Sequence, residues 1–212
     1  MLVAQSAWAD QSMDKSTTRD IFENFQTNLL PLKNNRFEFL LWEKDKASLN
    51  SMSFLLDDTQ KAVADTVFSL HTNKKNVSAK IKSLPPKWQK HPVVMYARFE
   101  WRIRNNLRDS DLQVLENYST SATHLSQPSK WAFRREALAR DLMFDEEYAR
   151  AYEISSKHYL ETGDTYAVLE WLSGYLALEK LKNTELALKH FKNFLLSVDA
   201  PISLGRGFYW LG

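Results

Sequence analysis

Apolar side chains recur along the whole chain at the three- and four-residue spacing of amphipathic helices. In the first half this pattern predicts helices over residues 18–30, 36–46, 57–70, 77–84 and 92–107, and Pro31 and Pro85-Pro86 end two of them. The side chains expected to face inward are Ile21, Phe22, Phe25, Leu29, Leu30, Phe37, Leu40, Leu41, Ala62, Val63, Thr66, Val67, Leu70, Tyr96, Phe99 and Ile103.

The second half divides at capping residues and prolines into helices of about a dozen residues. One helix is predicted from Asp109 or Ser110 to Tyr118, and the polar stretch 119–127 is predicted to be a loop or at most a frayed helix end. The signals for the remaining helices are Ser129, Asp145, Asp164 or Thr165, and Asn183 or Thr184 as starts, Gly163 as the end of the second, and Pro201 as the start of the last.

Helices of this length, joined by short loops, predict antiparallel hairpins stacked side by side. The spacing is close to that of the tetratricopeptide unit, whose period is about 34 residues. Trp171, Ala187, Phe191 and Leu195 lie at the offsets of its packing residues, and Ala151 has the same small-residue role one repeat earlier. We therefore expect an all-α protein with tetratricopeptide-like hairpins forming a curved solenoid, an α-superhelix.

The C-terminal stretch 208–212 has the sequence of the first helix of another repeat. A lone amphipathic helix cannot bury its apolar face without a partner helix, and terminal repeats normally carry a polar outer surface. Tyr209 and Trp210 provide no such surface. We therefore expect residues 10–212 to be a superhelix segment that is truncated at its C-terminus.

The composition limits the class of protein to which the chain can belong, but it does not identify a binding partner. Hydrophobic residues make up 44% and charged residues 25% of the chain, which is typical of a folded domain, and five glycines and six prolines leave little material for the turns of an all-β fold. The absence of cysteine excludes disulfides, thiolate metal sites and a cysteine nucleophile. The net charge is +2, basic groups are short, and no apolar run reaches about 20 residues. We expect neither nucleic-acid binding nor a membrane span.

The N-terminus contains Ala7-Trp8-Ala9 followed by Asp10, which has the small-x-small form of a signal-peptidase site. Residues 1–6 provide no basic region and only a stub of an apolar region. One interpretation is that residues 1–9 are the remnant of an export signal whose upstream half is missing. The other is coincidence, since alanine pairs are common.

Histidines and paired carboxylates are the remaining candidates for chemistry. None of the five histidines lies four residues from another, so no metal site is expected, and His158 and His190 are expected to be hydrogen-bonded packing residues on helices. Asp57-Asp58 and Glu146-Glu147 could form acid/base couples, but both pairs stand at predicted helix starts, where the helix dipole favours negative charge. We expect them to cap helices, and we assign no catalytic, cofactor or metal residue.

Several stretches of the second half occur in a characteristic order and spacing. They are Trp131 to Arg140, Ala151-Tyr152 with His158, Gly163 with Tyr166-Ala167, Trp171 to Leu178, His190-Phe191, and Pro201 to Gly212. Through these stretches residues 131–212 resemble the non-catalytic superhelical domain of the soluble lytic murein transglycosylases of Gram-negative bacteria. Residues before about Arg98 match only in helical character.

The resemblance implies a ring- or U-shaped superhelix followed by a lysozyme-like domain that cleaves the bond between N-acetylmuramic acid and N-acetylglucosamine and leaves a 1,6-anhydro sugar. One glutamic acid acts there as acid and then as base, unlike the two-carboxylate scheme of most glycosidases. Its Glu-Ser and Gly-Leu-Met-Gln motifs do not occur in this chain. The resemblance thus implies an inactive scaffold segment whose catalytic domain is missing.

The expected partners are peptidoglycan glycan strands and that missing catalytic domain, and the expected compartment is the periplasm, which favours the export-signal interpretation of residues 1–9. Ser203, Arg206 and Tyr209 lie near the point where the family's superhelix continues, so a contact with substrate is one interpretation for them. Burial between helices is the other for Tyr209 and Trp210, and no substrate-binding residue is assigned. The alternative function is a free-standing helical-repeat module that binds a protein or peptide in its concave face.

Overall fold

A computed structural model describes residues 2–212, with side chains from Gln5 onward. Within that range the chain consists of helices and connecting turns and contains no β-strand, which confirms the prediction of an all-α fold. The chain divides into two compact units, the first ending at Leu107 and the second spanning Arg108–Gly212.

The first unit packs its helices mainly in pairs, α1 on α3, α2 on α4 and α5 on α8. Its helices are α1 (Leu2–Asp10), α2 (Lys15–Leu29), α3 (Lys33–Trp42), α4 (Lys46–Ser51), α5 (Asp58–His71), α6 (Val77–Ser83), α7 (Pro86–Gln89) and α8 (Pro92–Arg104), with 3-10 turns at Leu30–Leu32 and Ser53–Leu55. The starts of α5, α6 and α8 agree with the sequence prediction, whereas α4 and α7 were not predicted.

Helix α1 is held by an aromatic core and a buried cation. Trp8 is fully buried against Phe22 and Leu29. The guanidinium carbon of Arg36, itself fully buried, lies 4.6 Å from the centroid of the Trp8 ring. Arg36 donates hydrogen bonds to the carbonyl oxygens of Trp8 and, at 3.0 Å, of Gln11. A cation at this position stabilises the C-terminal end of α1, where unpaired carbonyl groups carry partial negative charge.

Three side chains that were expected to face the core of the first unit are exposed instead. Phe25 lies at a break in α2, where its φ of −131° and ψ of 26° leave the helical region. Leu30 lies in the 3-10 turn that follows. Because an irregular backbone rotates the residues after it, the three- and four-residue spacing no longer identifies one face of the helix there. Ala62, on the outer side of α5, is exposed as well.

The second unit packs consecutive helices on one another, α11 on α12, α12 on α13, α13 on α14 and α14 on α15. Its helices are α9 (Arg108–Tyr118), α10 (Ala122–Leu125), α11 (Pro128–Phe144), α12 (Tyr148–Ser156), α13 (Asp164–Tyr175), α14 (Thr184–Leu196) and α15 (Pro201–Leu211), and the segment Leu176–Lys180 continues α13 as a π-helix. The start of α15 at Pro201 was predicted.

The predicted helix boundaries of the second unit are confirmed at one cap and corrected at others. Asn183 caps α14, because its side-chain oxygen accepts the Leu186 N–H at 3.1 Å. Helix α11 begins at Pro128 rather than after Ser129. Helix α12 already ends at Ser156, so Gly163 does not end it; with a φ of 97° it leads into α13, in a conformation that glycine tolerates.

The polar stretch 119–127 contains one short helix. Ser121 caps α10 by accepting the His124 N–H at 3.1 Å, and Leu125 at its end is fully buried. The carbonyl of Leu125 accepts the indole N–H of Trp131 at 3.2 Å. The buried Leu125 side chain therefore holds in place a stretch whose polar composition predicts a loop.

Substitution of Ala187 by leucine is expected to lower the free energy of unfolding by roughly 1–3 kcal/mol, because extra methylene groups overpack a close helix contact. Ala187 is buried on α14 and packs with Ala177 and Phe191. Urea unfolding followed by circular dichroism measures the loss. Ala149→Leu, at an exposed position of α12, is the matched control and should leave the midpoint unchanged. Equal midpoints for both variants would contradict this packing.

Candidate functional site

A cavity of about 240 Å³ opens in the second unit between α11, α13, α14 and α15. Its lining residues are Arg140, Asp164, Ala167, Val168, Trp171, Phe194, Val198, Ser203 and Arg206. Ser203 and Arg206, for which the sequence left a substrate contact open, both line it. Tyr209 does not line the cavity and its side chain is exposed, so the expectation of its burial is wrong.

Trp171 is the aromatic wall of this cavity. The Arg206 guanidinium carbon lies 3.5 Å from the centroid of its ring, and the Tyr175 ring stacks with it at 5.6 Å. The half-buried Trp210 ring packs by its edge against both Trp171 and Tyr175, at 6.3 Å and 5.7 Å. Tyr175 and Trp210 thus hold the Trp171 ring in place, and the Arg206 guanidinium covers this ring.

Arg140 and Arg206 bring two positive charges to the same cavity. Burial lowers the pKa of Arg206, and repulsion from Arg140 lowers it further. Arg140 contacts Glu136 through Nε at 3.0 Å. Within the part of the chain that the structure describes, no carboxylate forms an ion pair with Arg206, and Glu136 is the carboxylate that pairs with Arg140. The cavity therefore combines an aromatic wall with two arginines that can bind an anionic group.

A buried polar network lies next to this cavity and is centred on Glu170. Its carboxylate accepts hydrogen bonds from His158 Nε2 at 3.2 Å and from His190 Nδ1 at 2.6 Å. The Leu160 N–H donates to His158 Nδ1 at 2.9 Å, which leaves the proton of a neutral His158 on Nε2. His190 Nε2 lies 3.1 Å from the Tyr152 hydroxyl.

The network keeps Glu170 ionised. Burial by itself raises the pKa of Glu170, but the hydrogen bonds from His158 and His190 outweigh this effect and lower the pKa to about 2. An ionised carboxylate at neutral pH is a poor proton donor. The side chains of Glu170, His158 and His190 are almost completely buried, so a polymer cannot reach them.

The first unit contains a similar but only partly buried carboxylate, Glu100. It lies 2.7 Å from Lys44 Nζ, 3.3 Å from His71 Nδ1 and 3.3 Å from the Tyr96 hydroxyl. Burial raises its pKa, but the contacts with His71 and Lys44 outweigh burial and lower the pKa to about 2. Glu100 thus joins α8 to α5 and is ionised, as Glu170 is in the second unit.

The paired carboxylates take the helix-start positions that the sequence predicts, with one difference. Asp57 caps α5 in a capping box, accepting the Gln60 N–H at 2.8 Å, and Asp58 is the first residue of that helix. Glu147 precedes α12 but makes no capping hydrogen bond; instead it pairs with Arg150 at 3.1 Å. Glu146 has a φ of 62° and lies in the turn.

The histidine prediction is confirmed in part. Both His158 and His190 are buried and hydrogen-bonded, but His158 lies after the end of α12 rather than on a helix. Among the described residues there is no group of three histidine, aspartate or glutamate side chains arranged to hold a metal ion. The same residues include no helix that is long and apolar enough to cross a membrane.

Sequence reasoning missed Glu170, Arg140 and the buried Arg135. Arg135 donates to the carbonyl oxygen of Ile154 at 2.8 Å and to Ser119 Oγ at 2.6 Å, and burial lowers its pKa to about 10. A signal was present, because Glu170 and Arg135 both interrupt the apolar face of their helices with a charge.

Comparison with protein-family models, with curated proteins and with solved structures finds no match to this chain.

Proposed function

We propose that this chain is the non-catalytic superhelical part of a periplasmic peptidoglycan lytic transglycosylase, and that it holds glycan strands for a separate catalytic domain. One observation carries the proposal. The stretches 131–140, 171–178 and 201–212, on which the resemblance rests, come together at one cavity, to which they contribute Arg140, Trp171, Ser203 and Arg206. An aromatic wall with a few polar groups is typical of a ligand site.

The carboxylates of the chain support a scaffold rather than an enzyme. Cleavage with a 1,6-anhydro product needs a glutamic acid that can donate a proton to the glycosidic oxygen. The partly buried Glu100 and the buried Glu170 each have a pKa of about 2 and are therefore ionised at neutral pH. Among the described residues, Asp164 is the carboxylate that lines the cavity, and it lies in the first turn of α13, where the helix dipole favours its charge.

The purified chain is expected to sediment with peptidoglycan sacculi but to release no anhydromuropeptides from them. Sacculi are incubated with the chain alone and with the chain plus a lysozyme-like domain encoded at the same locus, and the soluble products are analysed by mass spectrometry. Stimulation of the separate domain by the chain is the expected result. Release of anhydromuropeptides by the chain alone, or failure to sediment with sacculi, would contradict the proposal.

A free-standing interaction module is the second candidate, and the surface of α15 favours it. Ile202 is 89% exposed, Tyr209 is 78% exposed, and Leu196 at the end of α14 is 88% exposed. Exposed apolar groups of this size on α15 and at the end of α14 are typical of a surface that another polypeptide covers. Retention of a partner protein by the chain, lost in Ile202→Ser and without any sedimentation with sacculi, would favour this second function.

A further inference from the structure

The cavity of the second unit is lined by two arginines as well as by its aromatic wall, Trp171. Arg206 lies against the Trp171 ring at 3.5 Å and forms no ion pair in the described part of the chain. Arg140 reaches the same cavity from α11 and contacts Glu136 through Nε at 3.0 Å. A guanidinium that lies on a ring face keeps the N–H groups at its edges available, and these match the two oxygens of a carboxylate.

Two helix starts add to the positive character of this cavity. Asp164, Ala167 and Val168 belong to the first turns of α13, and Ser203 to the first turn of α15. Neither helix has a side-chain cap, because its N-cap residue is Gly163 or Ala200. Uncapped N–H groups and the helix dipole favour an anion near a helix start. The negative lining group, Asp164, lies within 4 Å of neither arginine.

We propose that Arg140 and Arg206 bind a carboxylate of the ligand, and that this ligand is the stem peptide of peptidoglycan rather than its neutral sugar backbone. This inference rests on the proposed function. The glycan strand offers hydroxyl and acetamido groups, whereas the stem peptide carries free carboxylates. An incoming carboxylate also offsets the repulsion between the two guanidinium groups.

The test uses the full chain and isothermal titration with a disaccharide tetrapeptide released from sacculi. The compound is used with free carboxyl groups and, separately, after amidation of those groups. The unmodified compound is expected to bind at least about tenfold more tightly, because charge-assisted hydrogen bonds are lost on amidation. Arg206→Gln and Arg140→Gln should each weaken its binding by about tenfold and leave binding of the amidated form unchanged.

Lys189→Gln is the matched control, since it removes one positive charge from an exposed position of α14 outside the cavity. It should leave both affinities unchanged, and circular dichroism should show that all three variants are folded. Equal binding of both compounds by the unmodified chain would overturn this inference while leaving the proposed function intact. Binding of neither compound, together with no sedimentation with sacculi, would overturn both. Equally tight binding of tetra-alanine would overturn the assignment to peptidoglycan.

Discussion

Replacement of Glu170 by glutamine is expected to destabilise the second unit by about 3 kcal/mol, because it breaks a buried charged network. The carboxylate accepts hydrogen bonds from both His158 Nε2 and His190 Nδ1. A glutamine amide has one oxygen and one NH₂ group, so one histidine donor would face another donor unless His190 moves its proton to Nε2, next to the Tyr152 hydroxyl. His158 cannot adapt by moving its proton, since its Nδ1 already accepts the Leu160 N–H. Leaving a buried donor unpaired costs about 1–3 kcal/mol. The variant also loses hydrogen bonds to a charged acceptor, which are stronger than those to a neutral one, and this adds to the cost.

Hydrogen exchange resolved along the chain, together with urea unfolding, measures this effect in the unit that contains the substitution. Glu161→Gln makes the same chemical change at an exposed position between α12 and α13 and should cost less than about 0.5 kcal/mol. Comparable exchange rates for the two variants over α12, α13 and α14 would show that the Glu170 network does not hold these helices together.

The same variant has a defined pH dependence. The pKa of Glu170 is lowered from 4.5 to about 2 in the folded chain, so ionised Glu170 stabilises the fold at pH values above about 5. This contribution is lost as the pH falls from about 5 towards 2, and a shift of this size corresponds to about 3 kcal/mol. Glu170→Gln should therefore lose less stability on acidification than the unmodified chain. Glu100, which is unchanged in the variant, still contributes its own loss over the same range.

Substitution of Trp8 by alanine is expected to destabilise the first unit by about 3–5 kcal/mol, because it leaves a large cavity. The Trp8 ring is fully buried, packs with Phe22 at a centroid distance of 5.7 Å, and lies under the Arg36 guanidinium. The buried cation would lose its aromatic neighbour as well. Urea unfolding and hydrogen exchange over residues 15–42 report the change.

Trp8→Phe is the control, since it keeps an aromatic ring and removes an indole N–H that is buried without a hydrogen-bond partner. It should cost much less than Trp8→Ala. A chain that begins at Asp10 tests the interpretation of residues 1–9 as an export signal, since cleavage after Ala9 removes Trp8. We expect this shorter chain to be destabilised at least as much as Trp8→Ala. Equal protection of α2 and α3 in the full and shorter chains would contradict a structural role for Trp8.

Local chemistry in the sequence determined the helical class and many helix boundaries. Periodic apolar residues identified α3, α5 and α8. Capping or proline residues placed the starts of α5, α14 and α15 at Asp57 or Asp58, at Asn183 or Thr184, and at Pro201. These signals act within one or two turns of the backbone, so a single sequence is enough to find them. The prediction failed where the backbone departs from a regular helix, as at Phe25.

The candidate site depends on contacts between residues that lie far apart in the sequence. Glu170 meets His158, 12 residues before it, and His190, 20 residues after it, only because α12, α13 and α14 pack together. Arg140 and Arg206 line one cavity although 66 positions separate them (206 − 140). Helical spacing tells which side chains share a face, but it does not tell which faces meet. Tertiary packing alone therefore decided that one buried glutamate joins α13 to α14 and to the turn after α12, and that two arginines line the same cavity.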